Sequence, residues 1–119
     1  MIDLYMSSLF LKNANVIDVS TGNTSLQNIR IENGIIQEIG KNVIKNNSAV
    51  SIDLKGDFVM PGLCDAHVHV TAFTADFARL KNTSPFYVGI KALEILRGML
   101  SRGFTTVRDA GGADWGLAK

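Results

Sequence analysis

The fold of this 119-residue chain is decided by residues 61–70, which read PGLCDAHVHV. The Pro-Gly pair at the start removes a backbone donor and permits a sharp bend, so it ends whatever strand precedes it. Residues 63–70 are mostly apolar and only three polar residues interrupt them, which is typical of a strand buried on both faces. We therefore expect the chain to change its architecture at the Pro-Gly pair.

The residues that follow this strand predict a β-α-β unit. Residues 71–85 are irregular and polar, and we interpret them as a long loop. Residues 86–102 follow a helical period, with Ser84 as a candidate cap and Gly103 as the end. The predicted apolar face of this helix consists of Ile90, Leu93, Ile95, Leu96 and Leu100. Residues 103–109, GFTTVRD, read as a second strand, and strand, loop, helix and strand in that order predict that the two strands pair in parallel.

The residues before the Pro-Gly pair predict a part of the chain that is rich in strands. Residues 9–19 are strand-like and are followed by the turn-forming sequence Ser20-Thr21-Gly22-Asn23. Residues 26–39 alternate apolar and polar residues around Asn33-Gly34, a dipeptide that readily adopts positive φ angles and so predicts a two-residue hairpin turn. We interpret residues 41–48 as a loop. Residues 49–54 and 57–60 read as two further short strands.

Composition and charge restrict the class of protein. The chain is 46% hydrophobic and 19% charged, which is ordinary for a globular protein. Its net charge is +1 without any run of like charge, so we expect neither a nucleic-acid nor a membrane partner. The single cysteine, Cys64, cannot form an internal disulfide, and the opening residues MIDLYMSSLF lack the basic start and apolar core of a signal peptide. We therefore expect a soluble cytoplasmic protein.

Asp65, His67 and His69 are the first candidates for chemistry, because alternation along a strand puts their side chains on one face. Two imidazoles at the carboxyl end of a strand can bind one borderline divalent cation, such as zinc, without cancelling its charge. The alternatives for the pair are buried histidines satisfied by hydrogen bonds or a chance surface pair. Asp65 could steady one of the histidines, or it could be an ordinary hydrogen-bonded strand residue.

Three other residues have competing interpretations. Arg108 could hold a substrate carboxylate in a bidentate grip. It could equally form a structural ion pair with Asp109, or the two could cap a following helix. Cys64 has the wrong parity along the strand to join the histidines, so we predict that it lies in the core.

Together these motifs resemble the opening of the amidohydrolase superfamily. The resemblance is carried by LFLKNANVIDVSTG, by the hairpin NIRIENGIIQEIG and by FVMPGLCDAHVHV, all within residues 9–70. The later RGFTTVRDAGG, residues 102–112, is similar to the second barrel strand of the branch with Xaa-Pro dipeptidase-like and imidazolonepropionase-like members. That branch includes metal-dependent carboxypeptidases acting on dipeptides or acyl amino acids.

The resemblance implies a fold and a metal site. Residues 1–60 would be a portion of a small β-sandwich, and residues 61–119 would be the first βαβ unit of a (β/α)8 TIM-like barrel. The barrel would be incomplete here, because such a barrel takes about 250 residues. His67 and His69 would be ligands of a divalent metal, zinc by preference, with one or two ions in an intact enzyme.

The resemblance also implies an activity, namely hydrolysis of a carbon–nitrogen bond by metal-activated water. The substrate would be a small molecule, such as a dipeptide, an acyl amino acid or a cyclic amide. The general base would lie beyond residue 119, so we expect an N-terminal piece that is inactive alone, and its open strand edges favour self-association. The alternatives are a non-catalytic remnant that serves as an interaction or assembly module, or a free-standing β-sandwich binding domain.

Overall fold

The computed structural model describes residues 8–119, so residues 1–7 of the segment used for the signal-peptide prediction lie outside the described residues. The chain divides into two compact units, one extending to Pro61 and the other spanning Gly62–Lys119. The division falls within the Pro-Gly pair. In the described part of the chain, no helix is long and apolar enough to cross a membrane.

The described part of the first unit is a five-stranded sheet in which the longest strand is central. Its strands are β1 (Ser8–Ile17), β2 (Thr24–Glu32), β3 (Ile35–Gly40), β4 (Val50–Asp53) and β5 (Phe58–Val59). The order is β3-β2-β1-β4, and β5 also pairs with β1. The β1-β2 and β2-β3 pairs are antiparallel, whereas β4 and β5 run parallel to β1. Phe10, Val43 and Ala49 form a buried cluster in this unit.

The predicted hairpin is confirmed. Glu32 lies opposite Ile35, which leaves Asn33 and Gly34 as a two-residue turn. Their φ angles are 51° and 75°, and positive φ at both positions is the turn geometry that matches the twist of paired strands.

The first strand ends two residues earlier than predicted, at Ile17 rather than at residue 19. The reason is Asp18, whose carboxylate accepts hydrogen bonds from the backbone N–H and the hydroxyl of Ser20 and from the hydroxyl of Thr21. These local bonds favour a turn over a continued strand.

The second unit contains the predicted β-α-β arrangement. Its elements are β6 (Leu63–Val68), α1 (Phe77–Lys81), α2 (Pro85–Ser101), β7 (Phe104–Asp109) and α3 (Trp115–Ala118). Strands β6 and β7 pair in parallel, as predicted, and α2 packs against β7. Gly103 has a φ of 91° and follows the end of α2, also as predicted.

One local prediction in this unit is wrong, and another is correct in position only. The stretch interpreted as a loop contains α1, whose first turn is capped by Asp76 through the backbone N–H of Arg79. Ser84 precedes α2, but its hydroxyl makes no capping bond, and its carbonyl accepts the first helical bond from Val88 instead.

The predicted apolar face of α2 is only partly correct. Ile95 and Leu96 are half-buried, whereas Ile90, Leu93 and Leu100 are 59%, 46% and 62% exposed. The buried residues of the helix are Ala92 and Met99. The helix carries two apolar stripes, and the one that includes the small Ala92 packs inward because a small side chain permits a close approach. The periodicity alone does not distinguish the two stripes.

The prediction that β6 is buried on both faces is wrong for this chain. Leu63, Cys64, Ala66 and His67 are exposed, and only Asp65 and Val68 are half-buried. Within residues 8–119, β6 pairs along one edge only, with β7, so little of its surface is covered. For the same reason Cys64 is exposed rather than part of a core.

Candidate metal centre

The candidate site lies where β6 and β7 end. Parallel neighbours place their carboxyl ends at the same edge, so residues that follow the two strands come together. Val68 is the partner of Asp109, and the backbone N–H of Ala110 donates to the Val68 carbonyl at 2.8 Å. His69 and residues 110–113 therefore occupy the same end of the strand pair.

His67 and His69 lie side by side at this end. Their ring centroids are 5.2 Å apart, the planes are inclined by 80°, and both residues are exposed. Zinc–nitrogen bonds of about 2.0–2.1 Å put two imidazoles on one tetrahedral ion with ring centres about 5 Å apart. The observed spacing is compatible with that arrangement.

A backbone carbonyl selects the tautomer of His69. Nδ1 of its ring lies 2.8 Å from the carbonyl oxygen of Gly111. A carbonyl oxygen can only accept, so Nδ1 carries the proton. In the neutral ring Nε2 is then unprotonated and can bind a cation, which is the usual arrangement of histidines that bind metals.

Asp109 connects the two loops that follow β6 and β7. Its Oδ2 accepts from the backbone N–H of Val70 at 2.8 Å, and its Oδ1 accepts from Gly111 at 2.8 Å and from Ala113 at 3.4 Å. Burial alone raises the pKa of Asp109, but these three N–H groups and the nearby charge of protonated His69 outweigh it and hold the pKa below its usual value.

Two interpretations of Arg108 and Asp109, the structural ion pair and the helix cap, are wrong for the described residues. In the described part of the chain, neither residue takes part in an ion pair, and the cap of α3 is Asp114 rather than Asp109. The partners of Asp109 are backbone groups, as described above. Arg108 is exposed, and its Nη1 donates to the carbonyl of Ala66 at 3.3 Å.

Asp65 contacts the backbone of a candidate ligand rather than its ring. Its Oδ1 accepts from the backbone N–H of His67 at 3.1 Å. This contact stabilises the irregular stretch of β6 between Asp65 and Val68, where the register with β7 shifts. Across residues 8–119, no three histidine, cysteine, aspartate or glutamate side chains converge into a cluster able to hold a metal ion.

The contribution of Gly111 was missed by the sequence reasoning. A carbonyl group carries no side-chain signal, so the only available signal was the Gly111-Gly112 pair after β7. Gly112 has a φ of 114°, and a Cβ there would overlap the hydroxyl of Thr71 in the loop after β6. The glycine pair therefore permits the close approach of the two loops that brings the carbonyl to His69.

The chain matches no protein-family model. It is 41% identical over 63 residues to a dihydroorotase of Trichlorobacter lovleyi, an alignment that covers 53% of this chain and 15% of that protein. It is 37% identical over 106 residues to a 5'-deoxyadenosine deaminase of Methanosarcina acetivorans, covering 80% of this chain and 24% of the deaminase.

A solved structure matches the fold over most of the chain. It is a prolidase in complex with N-methylphosphonate-L-proline, with a TM-score of 0.87 and 40% sequence identity, and the match covers 92% of this chain and 27% of the prolidase. The chain thus spans between 15% and 27% of the length of these three proteins.

Proposed function

We propose that this chain, which belongs to the amidohydrolase superfamily, supplies two metal ligands, His67 and His69, to an enzyme that hydrolyses carbon–nitrogen bonds. The observation that carries the proposal is the hydrogen bond from His69 to the Gly111 carbonyl. It leaves Nε2 as the unprotonated nitrogen of a ring whose centroid lies 5.2 Å from that of His67. Both histidines are exposed, so they are not a buried pair satisfied by hydrogen bonds.

For the architecture we propose that residues 1–60 are a portion of a small β-sandwich. Residues 61–119 are then the first βαβ unit of a (β/α)8 barrel. The support is the parallel pairing of β6 with β7, the helix α2 between them in sequence, and the match to the prolidase over 92% of the chain. Ligands at the carboxyl ends of strands are the rule in barrels of this kind.

The metal we propose is divalent, with zinc first, because two neutral imidazoles are typical zinc ligands. When bound, it would supply Lewis acidity for the attack of water on an amide carbonyl. The chain's own contribution is to orient the imidazoles: Gly111 holds the ring of His69, and Asp65 holds the backbone of His67. The proposal assigns no general base among residues 8–119.

The substrate we propose is a small molecule with a carboxylate, such as a dipeptide or an acyl amino acid, with a cyclic amide as the alternative. Arg108 is the candidate that would recognise this carboxylate. Its guanidinium is exposed, and within residues 8–119 only Nη1 is hydrogen-bonded, to the Ala66 carbonyl. Several of its five N–H donors are therefore free for a bidentate contact.

The proposed metal site can be tested by zinc binding to the 119-residue chain, measured by calorimetry and by the absorption spectrum of cobalt. We expect weak binding, because catalytic zinc sites use about three protein ligands and two are assigned here. The His67→Ala, His69→Ala double variant should lose it. Cys64→Ser is the matched control, since an exposed thiol is the other potential soft ligand nearby, and this variant should bind like the wild type.

Zinc binding that persists in the double histidine variant would overturn the proposed site.

We expect no zinc-dependent hydrolysis of dipeptides or acyl amino acids by these 119 residues alone. No general base is assigned among residues 8–119, and such a base typically contributes about 10²–10⁴-fold in rate.

A non-catalytic interaction module is the second candidate function. The observation that favours it is the exposed apolar stripe on α2, which includes Phe86, Ile90 and Leu100. Such a module has no need for an oriented histidine pair, so the loss of zinc binding in the double histidine variant also discriminates between the two functions.

A further inference from the structure

The environment of His69 contains a second layer of hydrogen bonds that ends on one carboxylate. The ring of His69 donates to the carbonyl of Gly111, and the N–H of the same Gly111 residue donates to Oδ1 of Asp109 at 2.8 Å. On the other side of His69, the N–H of Val70 donates to Oδ2 of Asp109, also at 2.8 Å. The carboxylate thus binds the residue after His69 and the residue that holds the ring of His69.

We infer that Asp109 is a positioning residue for His69, acting through Gly111 to keep Nδ1 protonated and Nε2 directed away as the ligand atom. The inference rests on the proposed function in assigning His69 as a ligand. It goes beyond that function in naming the residue that determines which ring nitrogen is available. Asp109 makes no hydrogen bond to either ring, and its hydrogen bonds within residues 8–119 are to the backbone N–H groups of Val70, Gly111 and Ala113.

Position 109 requires a carboxylate, because both oxygens of the side chain accept a hydrogen bond from a backbone N–H group. Asparagine has one carbonyl oxygen and one NH₂ group, and the NH₂ group would face an N–H donor of either Val70 or Gly111. One of the two loops would then be released. If the released loop is the one that carries Gly111, its carbonyl no longer faces Nδ1, and His69 is free to adopt the Nε2–H tautomer.

The contact between Thr71 and Gly112 does not replace this carboxylate. It is a close approach of a side chain to a glycine, permitted by the missing Cβ, and it contributes no acceptor to the N–H groups of Val70 or Gly111. Asp109 is therefore the group that satisfies both loops in the described part of the chain.

The test measures the tautomer of His69 directly by long-range ¹H–¹⁵N NMR at a pH where the ring is neutral. The chain has two histidines, so a His67→Ala variant assigns the signals. We expect Nδ1–H in the wild type and a shift towards Nε2–H in Asp109→Asn. Calorimetry with zinc should show an affinity about 10–100-fold lower in Asp109→Asn, the usual effect of losing an outer hydrogen-bond partner.

The matched control is Asp114→Asn. Asp114 also accepts two backbone N–H groups, but they belong to Gly116 and Leu117 and not to Val70 or Gly111. This variant should retain both the tautomer and the zinc affinity of the wild type. Asp109→Glu keeps two accepting oxygens, so it should restore part of the affinity lost in Asp109→Asn, and it serves as the second variant if the asparagine form does not fold.

The outcomes separate this inference from the proposed function. An Nε2–H tautomer in the wild type overturns the inference, as does an unchanged tautomer and zinc affinity in the folded Asp109 variants. If the wild type fails to bind zinc but its tautomer still shifts on substitution of Asp109, the positioning role stands and the metal assignment fails.

Discussion

Nδ1 of His69 lies 2.8 Å from the carbonyl oxygen of Gly111, a residue 42 positions later in the chain. The contact joins the end of β6 to the loop after β7 by a side chain and a backbone group. It gives an exposed histidine a defined tautomer without burying it. An imidazole held in this way can exchange water for a cation at Nε2 with little change in its own orientation.

Gly62→Ala should destabilise the second unit. A Cβ at this position would overlap the side chain of Thr105 in β7, coming within 2.6 Å of its Cβ, so the start of β6 would have to move. Overpacking of this kind typically costs about 1–3 kcal/mol, which urea denaturation can measure. Gly89→Ala is the matched control: it lies within α2 with no atom in the way, and it should stabilise by about 0.5–1 kcal/mol. An unchanged free energy of unfolding in Gly62→Ala would contradict this prediction and show that β6 tolerates the shift.

Gly34→Ala should weaken the hairpin between β2 and β3. Gly34 has a φ of 75°, and a residue with a Cβ loses about 1–2 kcal/mol in the left-handed region. Gly34→Asn should lose less, because asparagine tolerates this conformation better than alanine. Thermal unfolding of both variants checks the order, and equal stability of the two would contradict it.

Acid should weaken the turn after β1 through Asp18. The hydroxyl and backbone N–H of Ser20 lower the pKa of Asp18 from 3.8 to about 2, with further help from Thr21. Because the folded-state pKa lies below the unfolded value, the stabilisation is present above about pH 4 and is lost as the pH falls towards 2. Ser20→Ala removes the largest cause, so NMR titration should find a higher pKa for Asp18 in that variant. An unchanged pKa would contradict the assignment.

Self-association should depend on the exposed stripe of α2. Contiguous exposed apolar side chains favour association, and Ile90 and Leu93 lie on this stripe. We expect sedimentation velocity to show oligomers that dissociate in the Ile90→Gln, Leu93→Gln double variant. Lys91→Gln, at a polar position of the same helix that lies off this stripe, is the matched control and should associate like the wild type. A monomeric wild type would overturn the prediction.

Several elements follow from short segments of sequence because their causes are local. Asn33-Gly34 adopts the positive φ angles that the dipeptide favours, and Gly103 follows the end of α2 in the left-handed region. The order of strand, helix and strand was enough to predict that β6 and β7 pair in parallel. A helical crossover returns the chain to the start of the sheet, so the second strand runs in the same direction as the first. The cap at Asp76 was equally local and was missed because the polar stretch around it lacks a clear helical period.

The sequence by itself determined the position of the strand that contains His67 and leads into His69, the hairpin turn and the parallel pairing of β6 with β7. The tertiary structure alone decided which stripe of α2 is buried, how exposed Cys64 is, and which groups contact His69. Periodicity and parity give the direction of a side chain relative to its own element, whereas burial depends on what packs against that element. The partners of His69 and Asp109 include backbone carbonyl and N–H groups, which every residue carries, so only their placement in space makes them specific.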